Sequence, residues 1–353
     1  MSKRFRKTLL TAVKCLIAVA LLAWVAAKVH LHDYTERTAD GSTQTRPGLI
    51  EVARNINWWI LACGAVGFVL SLLVIAVRWW ILLRIQRIRI SLWEAVRLTF
   101  LGQFFNAVVP GAVGGDLVKA YYVSKHTPKK AAVLVSVFVD RVMGLTELTL
   151  MAAVMIVIVL AAGIESFSKI RATVISIMVV FGIVVVTLAL LLSGRLRKAL
   201  RLQKIYQRLP MAHHIAAAGD AADLYRKRIR VLLRAILITF GAHILWVGAI
   251  ALVGVSLSLR IPWHNYFLYI PLIYIIGAVP ITPGGAGVIE SFYLIFFKSP
   301  LVGESQIFSL AILARLIPMF WGLPGAVVAI TGPKLPKTEA IQAELGLGSG
   351  EGR

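Results

Sequence analysis

Charged residues are scarce in this chain, and acidic residues are scarcer still. Asp, Glu, Lys and Arg make up 15% of the 353 residues, with 16 acidic residues against 38 Lys and Arg. A soluble domain carries about 25% charged residues. The hydrophobic fraction is 59% and the mean hydropathy is +0.82. This composition excludes a soluble globular fold for most of the chain and predicts an integral membrane protein.

Cysteine and nucleotide-binding motifs are also lacking. The two cysteines, Cys15 and Cys63, lie in separate apolar runs, and no C-x-x-C motif is present, so neither a disulfide framework nor a cysteine metal site is predicted. The glycine-rich clusters of the chain do not match Walker A, which needs Gly-x-x-x-x-Gly-Lys-Ser/Thr. We therefore expect no cofactor, no bound metal and no ATP-driven activity.

Apolar runs of about 20 residues predict membrane-spanning helices. The six predicted spans are about 9–27, 58–80, 131–162, 170–193, 232–257 and 306–330. The first run follows basic residues and is long enough to span, so we expect an uncleaved helix and not a signal peptide. Two further apolar segments, about 92–125 and 266–298, are interrupted by proline and glycine. The predicted fold class is therefore an all-α integral membrane protein.

The basic residues fall mainly on one side of these spans. Of the 38 Lys and Arg residues, 26 lie in the segments 1–8, 78–91, 117–130 and 194–234 and in the tail after 332. By the positive-inside rule this side is cytoplasmic, and both termini are then cytoplasmic. All of these basic segments lie on one side of the membrane only if each interrupted segment enters and leaves on the same side, as a re-entrant helical hairpin. Two kinked full-length helices in each segment are the alternative.

The order of helix, hairpin and helix occurs twice, over about 58–162 and again over about 232–330. The two sets begin on opposite sides, which predicts an inverted repeat within a single transmembrane domain, residues 1–332. The basic linker, about 194–231, is expected on the cytoplasmic surface, attracted to anionic lipid headgroups and not to nucleic acid. The tail, residues 333–353, is expected to be disordered.

Matching landmarks support the repeat. Arg141 follows Pro110 by 31 residues, and Arg315 follows Pro283 by 32 residues. Paired proline- and glycine-interrupted segments in inverted halves point to the central binding site of a transporter. Backbone groups that make no helical hydrogen bond are tolerated inside the membrane only where they contact protein or line a water-filled cavity.

Charges within the apolar segments need partners, because a charge at the bilayer centre costs about 2.5–3.5 kcal/mol. Asp116 is expected to cap a half-helix and to pair with Arg141, as Glu290 pairs with Arg315. These pairs either hold the hairpins in place or, with the amide groups of the half-helix N-termini, also bind a phosphate. The candidate substrate-binding residues are Asn106, Pro110, Gly114, Gly115, Asp116, Lys119, Asp140, Arg141, Pro283, Gly284, Gly285, Glu290 and Arg315.

Three further polar groups lie in or near apolar segments. Glu94 and Arg97 are three residues apart and are expected to form a structural pair on one helix face. Asp140 and Arg141 are adjacent, so they are expected to find different partners. His243 lies midway along a predicted span, where a hydrogen-bonded core histidine is favoured and a proton relay is the alternative.

Two further features of the sequence give predictions. The tryptophan pairs Trp58-Trp59 and Trp79-Trp80 bracket the second predicted span and are expected to be interfacial anchors. The segment 28–57 combines acidic and basic residues and is expected to be a plain solvated linker.

Several spaced motifs together resemble one family. They are Phe104-Phe105-Asn106, Pro110-Gly111-x-x-Gly114-Gly115-Asp116-x-x-Lys119-Ala120-Tyr121, Asp140-Arg141-x-x-Gly144-Leu145 and Pro280-x-x-Pro283-Gly284-Gly285-x-Gly287-x-x-Glu290. They resemble the lysylphosphatidylglycerol synthase transmembrane-region family, which includes the membrane flippase half of the multiple peptide resistance factor. The resemblance covers about residues 10–330.

The resemblance implies lipid translocation across a bacterial inner membrane, with membrane lipids as partners, and does not fix the lipid. The arginines and the half-helix N-termini predict an anionic headgroup between the hairpins. No aminoacyl-transfer domain follows Ile330, so we expect no synthase activity. One alternative is a membrane-embedded glycosyl- or lipid-modifying transferase, for which the only acidic candidates lie in the segment 28–57. A proton-coupled solute carrier that uses Asp116, Glu290 and His243 is another. A homo-oligomer is left open.

Overall fold

The computed structural model describes residues 3–37, 43–108, 114–164, 167–192, 223–279 and 281–331. The elements in chain order are α1 (Lys3–Ala26), β1 (Tyr34–Arg37), β2 (Thr43–Arg46), α2 (Leu49–Arg54), α3 (Trp58–Ile85), α4 (Leu92–Val108), α5 (Gly114–Ser124), α6 (Lys130–Ala161), α7 (Phe167–Leu192), α8 (Ile229–Ser256), α9 (Trp263–Gly277), a 3₁₀ turn (Pro283–Gly285), α10 (Val288–Phe297) and α11 (Glu304–Thr331). The fold is therefore mainly helical, as predicted. The predicted basic linker falls mostly on 193–222 and the predicted tail on 332–353, and both lie outside the described residues.

Four of the described helices, α3, α6, α8 and α11, are long and apolar enough to cross a membrane. They coincide with four of the six predicted spans. The other two predicted spans coincide with α1 and α7, in which the described apolar stretches are shorter, at Thr11–Ala26 and Thr173–Thr187. The all-α membrane character of the chain follows from these helices.

Small residues let the long helices approach closely. A Cβ atom at Gly64 of α3 would lie 3.1 Å from the carbonyl oxygen of Ala249 on α8, and one at Gly67 would lie 3.0 Å from the Cβ of Ala249. Lipid tails give apolar helices no hydrophobic reason to associate, so close van der Waals packing has to hold them together. On α11, a Cβ at Gly325 would clash with the backbone of Phe100 on α4. This contact joins the first interrupted segment to the last helix.

Each interrupted segment consists of two short helices. In the first broken segment, α4 and α5 contact each other, and residues 109–113, Pro110 among them, lie outside the described residues. In the second broken segment, α9 and α10 contact each other on either side of the 3₁₀ turn. The backbone there has φ values of +59° at Gly284, +68° at Gly285 and +79° at Gly287. Glycine tolerates this left-handed region without steric cost, which explains how the chain reverses here.

The described parts of the segment 28–57, residues 28–37 and 43–57, contact the rest of the protein, so the prediction of a plain solvated linker is wrong for them. β1 and β2 pair as an antiparallel hairpin. The N–H of His30 donates to the hydroxyl of Ser305 at 3.0 Å, and the buried Arg46 donates to the carbonyl of Pro300. These contacts dock the segment onto the start of α11. The charge pattern alone did not reveal them, because the partners lie more than 250 residues away.

The prediction of interfacial anchors is wrong for Trp79. Trp58 and Trp59 are exposed, as an anchor requires, whereas Trp79 is fully buried. The reason is that α3 continues to Ile85, past the predicted end at 80, so Trp79 packs inside the protein. The ammonium group of Lys119 lies 4.2 Å from the centroid of its ring, within reach of a cation–π interaction.

Candidate functional site between the two broken segments

Two neighbouring cavities lie between the broken segments. The Arg315 cavity has a volume of about 570 Å³ and is lined by Pro283, Gly284 and Arg315 among others. The Lys119 cavity has a volume of about 650 Å³ and is lined by Asp116 and Lys119 among others. Both cavities share Gln103, Asn106, Arg141, Trp246, Tyr274 and Ala278 as lining residues. The two halves of the chain therefore meet around one divided space.

Asp116 binds two basic side chains in the first half of the chain. Arg141 on α6 donates its Nε–H to the Oδ2 of Asp116, and the ammonium group of Lys119 lies 3.9 Å from its Oδ1. The predicted pairing of Asp116 with Arg141 is thus confirmed. The prediction that Asp116 is an N-cap is wrong, because α5 already includes Gly114 and Asp116 lies in its first turn.

Glu290 and Arg315 form the corresponding pair in the second half. Arg315 on α11 donates its Nε–H to Oε1 of Glu290. Its Nη1 and Nη2 donate to the carbonyl groups of Gly284 at 3.1 Å and Gly285 at 3.3 Å. This predicted pair is confirmed as well. Arg315 thereby binds two carbonyl groups of the 3₁₀ turn. In a continuous helix these groups would accept hydrogen bonds from the following turn instead.

Amide groups at the start of α5 and α10 are bound by the chain itself. The N–H of Gly115 donates to Oδ1 of Asn106 at 3.0 Å, and the N–H of Gly287 donates to Oε2 of Glu290 at 2.8 Å. Sequence reasoning had assigned such donors to an anionic ligand. At these positions the positive charge that faces the cavities comes from Arg141, Lys119 and Arg315 instead.

The predicted site residues divide into two groups. Those that line a cavity are Asn106, Asp116, Lys119, Asp140, Arg141, Pro283, Gly284 and Arg315. The others that the structure describes are Gly114, Gly115, Gly285 and Glu290; Gly115 serves packing, and Gly285 and Glu290 bind Arg315. A Cβ atom at Gly115 would clash with the carbonyl oxygen of Gly102 on α4. Gly115 therefore lets the two arms of the first broken segment approach each other.

A buried charge cluster beside the Lys119 cavity was not predicted as a unit. Arg78 on α3 donates to Asp140 at 2.8 Å and to Glu147 at 2.9 Å, both on α6. Nδ1 of His243 on α8 lies 2.9 Å from Glu147 and 3.1 Å from the carbonyl oxygen of Thr239. Arg78, Asp140, Glu147 and His243 are all buried. His243 is thus hydrogen-bonded, as favoured, to the carbonyl oxygen of Thr239, and it also lies within ion-pair distance of Glu147.

Sequence reasoning counted Arg78 among the cytoplasmic flanking residues, and this placement is wrong because α3 runs on to Ile85. The prediction that Asp140 and Arg141 have different partners is confirmed. One signal for the cluster was present in the sequence. Asp140 and Glu147 are seven residues apart, two helical turns, and so share a face of α6. Within the described residues, no group of His, Cys, Asp and Glu side chains is arranged to bind a metal.

Both cavities include exposed apolar residues. Phe138 lines the Lys119 cavity and is 50% exposed, and Met319 lines the Arg315 cavity and is also exposed. Each cavity thus combines a charged interior with an apolar margin.

The chain matches a family model and a known protein over most of its length. The family model for the lysylphosphatidylglycerol synthase transmembrane region matches residues 11–325, which include both broken segments and both cavities. A UPF0104 membrane protein of Pyrococcus horikoshii is 27% identical over 296 residues, which are 76% of this chain and 85% of that protein. These matches confirm the resemblance that the spaced motifs indicated.

Proposed function

We propose that this chain, which belongs to the lysylphosphatidylglycerol synthase transmembrane-region family, moves lipids with an anionic headgroup between the leaflets of a membrane. The family indicates a membrane protein of lipid metabolism or transport. One observation carries the narrower proposal. Arg141 and Arg315, which follow the two broken segments, line the same 570 Å³ cavity.

The two guanidinium groups suit a phosphate. A guanidinium has five N–H donors in a planar fork that matches phosphate oxygens. Three of those of Arg315 bind protein groups, and the others have no partner among the described residues. Arg141 is held by Asp116 through Nε, while its side chain stays 47% exposed. Both cations are thus oriented by a carboxylate and still face the cavity.

The apolar margins of the cavities suit acyl chains. A lipid that crosses the bilayer has to move a polar headgroup through the protein while its tails stay in the hydrocarbon. Phe138 and Met319 give each cavity an exposed apolar margin through which the tails can extend. A closed polar channel would suit a small ion or a water-soluble solute better.

We propose that the two broken segments are re-entrant hairpins related by an inverted repeat. Their helices α4, α5, α9 and α10 have 17, 11, 15 and 10 residues, and a span needs about 20. Including α1 and α7, six helices would span the membrane, with both termini in the cytoplasm. A bacterial inner membrane is the location that the resemblance to the flippase half of the multiple peptide resistance factor implies.

The two cavities give a route for the headgroup. Arg141 lines both of them, as do Trp246 and Tyr274, whose rings meet edge to face at a centroid distance of 4.4 Å. In our proposal, rocking of one repeat against the other opens each cavity in turn, and Arg141 passes the phosphate between them. The lipid itself is not chemically modified, so we propose that the chain is not an enzyme.

Reconstituted vesicles test this function. Fluorescent phosphatidylglycerol and phosphatidylcholine are placed in separate vesicle preparations, and a membrane-impermeant quencher reports the fraction in the outer leaflet with time. We expect the purified protein to accelerate the exchange of phosphatidylglycerol more than that of phosphatidylcholine. Acceleration of neither lipid by folded protein would refute the proposal. Equal acceleration of both would refute the anionic specificity.

A further inference from the structure

We propose that the pair of His243 and Glu147 is a proton-binding site and that one proton crosses the membrane together with each anionic lipid. This inference rests on the function proposed above. It starts from the buried cluster of Arg78, Asp140, Glu147 and His243, which the headgroup chemistry leaves unexplained.

The cluster is short of one positive charge. Arg78 is a single cation between the carboxylates of Asp140 and Glu147, and its contacts to them are 2.8 and 2.9 Å long. With a neutral imidazole at His243, the sum is one net negative charge. Glu147 has a side-chain exposure of 0%, and an uncompensated charge in such a place is costly. Either a bound proton or a neighbouring positive charge has to compensate it.

The geometry at His243 shows where this proton is bound. Nδ1 faces two acceptors, the carboxylate of Glu147 at 2.9 Å and the carbonyl oxygen of Thr239 at 3.1 Å. Nδ1 is therefore assigned the hydrogen in either charge state, and the exchanging proton is accepted by Nε2. His243 also lines the Lys119 cavity, whereas Glu147 does not. Arg78 and Asp140 of the cluster line this cavity as well, and the imidazole of His243 connects the cavity with Glu147.

A second cluster on the same cavity has the opposite imbalance. Lys119 and Arg141 are two cations around the one carboxylate of Asp116, which leaves one net positive charge. Asp140 and Arg141 are neighbours in α6, and both line the Lys119 cavity. With no ligand bound, the positive cluster and the negative cluster compensate each other.

Binding of an anion to the positive cluster removes this compensation, and binding of a proton to the negative cluster restores it. Each ligand therefore raises the affinity for the other, and this coupling is necessarily reciprocal. The lipid anion and the proton together carry no net charge. The structure thus favours symport of the two, which the membrane potential does not oppose.

No other described charge near His243 upsets this count. α8 packs against α3, α6, α9 and α11. Glu147 on α6 contacts His243, and Arg78 on α3 and Asp140 on α6 line the same cavity as His243. Tyr274 on α9 lines the same cavity. Arg315 on α11 lines the neighbouring cavity and is neutralised by Glu290.

Proton uptake provides the first test and does not depend on transport. Phosphatidylglycerol is added to the purified protein in weakly buffered detergent at neutral pH, and the pH change gives the protons bound per lipid. We expect about one proton for the wild type, by the charge count above, and none for His243→Gln. His264→Gln is the matched control, since His264 is also buried but lines neither cavity. No uptake by the wild type would overturn the proposal.

Transport under a pH gradient provides the second test. Vesicles carry fluorescent phosphatidylglycerol, with the membrane potential clamped by potassium and valinomycin. One pH unit corresponds to about 1.36 kcal/mol, so one-to-one coupling shifts the leaflet ratio of the lipid by up to about tenfold. We expect this shift for the wild type and for His264→Gln. His243→Gln should equilibrate the lipid without responding to the gradient.

If His243→Gln does not fold, Glu147→Gln serves as the second test variant. It removes the excess negative charge, so it too should abolish both proton uptake and the response to the gradient. If lipid exchange by the wild type does not respond to the pH gradient, the proton coupling is overturned and the proposed function is not affected. Absence of any lipid exchange would overturn the proposed function.

Discussion

Arg141 and Arg315 are bound in the same way in the two halves of the chain. Each donates its Nε–H to a carboxylate 25 residues earlier, Asp116 for Arg141 and Glu290 for Arg315. In each case the carboxylate lies in the first turn of the second short helix of a broken segment. A carboxylate that binds Nε fixes the plane of the guanidinium and directs its other donors elsewhere. The pairs therefore stabilise the fold and orient the cations at the same time.

The first prediction concerns these arginines. Arg141→Gln and Arg315→Gln should each slow the exchange of phosphatidylglycerol about 10- to 100-fold, because a hydrogen bond to a charged group contributes roughly 1.5–3 kcal/mol. The quencher assay in vesicles measures the rate of phosphatidylglycerol exchange. Arg97→Gln is the control, since Arg97 pairs with Glu94 and lines neither cavity. Full activity of both site variants would contradict a headgroup site here.

The second prediction concerns Arg78. Arg78→Met should lower the free energy of unfolding by about 3–5 kcal/mol, because it leaves two buried carboxylates without their cation. Adding Glu147→Gln should recover part of this loss. Denaturation of the purified protein in detergent gives both values. For comparison, Arg97→Met breaks a partly exposed pair and should cost about 0–1 kcal/mol. An equal effect of the two Arg→Met variants would argue against the buried cluster.

The third prediction concerns the first broken segment. Gly115→Ala places a Cβ atom against the carbonyl oxygen of Gly102 and the side chain of Asn106. The resulting overpacking should cost about 1–3 kcal/mol. Gly241→Ala, in α8, meets no atom within 4 Å and should be tolerated. Thermal unfolding in detergent compares the two, and a tolerated Gly115→Ala would show that α4 and α5 are not in close contact.

The fourth prediction tests the re-entrant arrangement by cysteine labelling. Cys15 and Cys63 are exposed and are first replaced by alanine. Ser91→Cys, before α4, and Lys129→Cys, after α5, should react with an impermeant maleimide only from the cytoplasmic side. Lys298→Cys, after α10, should react only from the opposite side. Labelling of the first two positions from opposite sides would instead indicate that the first broken segment crosses the membrane.

Several parts of this arrangement could be predicted from residues close in the chain. The long apolar runs predict their helices because lipid requires every backbone group to be bonded internally. Clusters of glycine and proline mark the two breaks, whereas the single prolines Pro271, Pro318 and Pro324 lie inside helices. The pairs of Asp116 with Arg141 and of Glu290 with Arg315 could be expected, since each carboxylate follows a break and each arginine lies in the next helix.

Other parts depend on partners that the sequence does not identify. Arg78 looked like a flanking cation, and only the packing of α3 against α6 makes it the partner of Asp140 and Glu147. His243 lies 96 residues after Glu147 in the sequence but 2.9 Å from it in space. The segment 28–57 looked solvated until its docking onto the start of α11 was known.

The sequence by itself determined the membrane-helical character, the two breaks and the family, because hydropathy, backbone preferences and spaced motifs act over short stretches of chain. Only the tertiary structure decided which charges compensate each other and where the cavities lie. The physical reason is that electrostatic energy depends on distance in space and on burial. Both are set by how distant helices pack, and no pattern along a single helix contains that information.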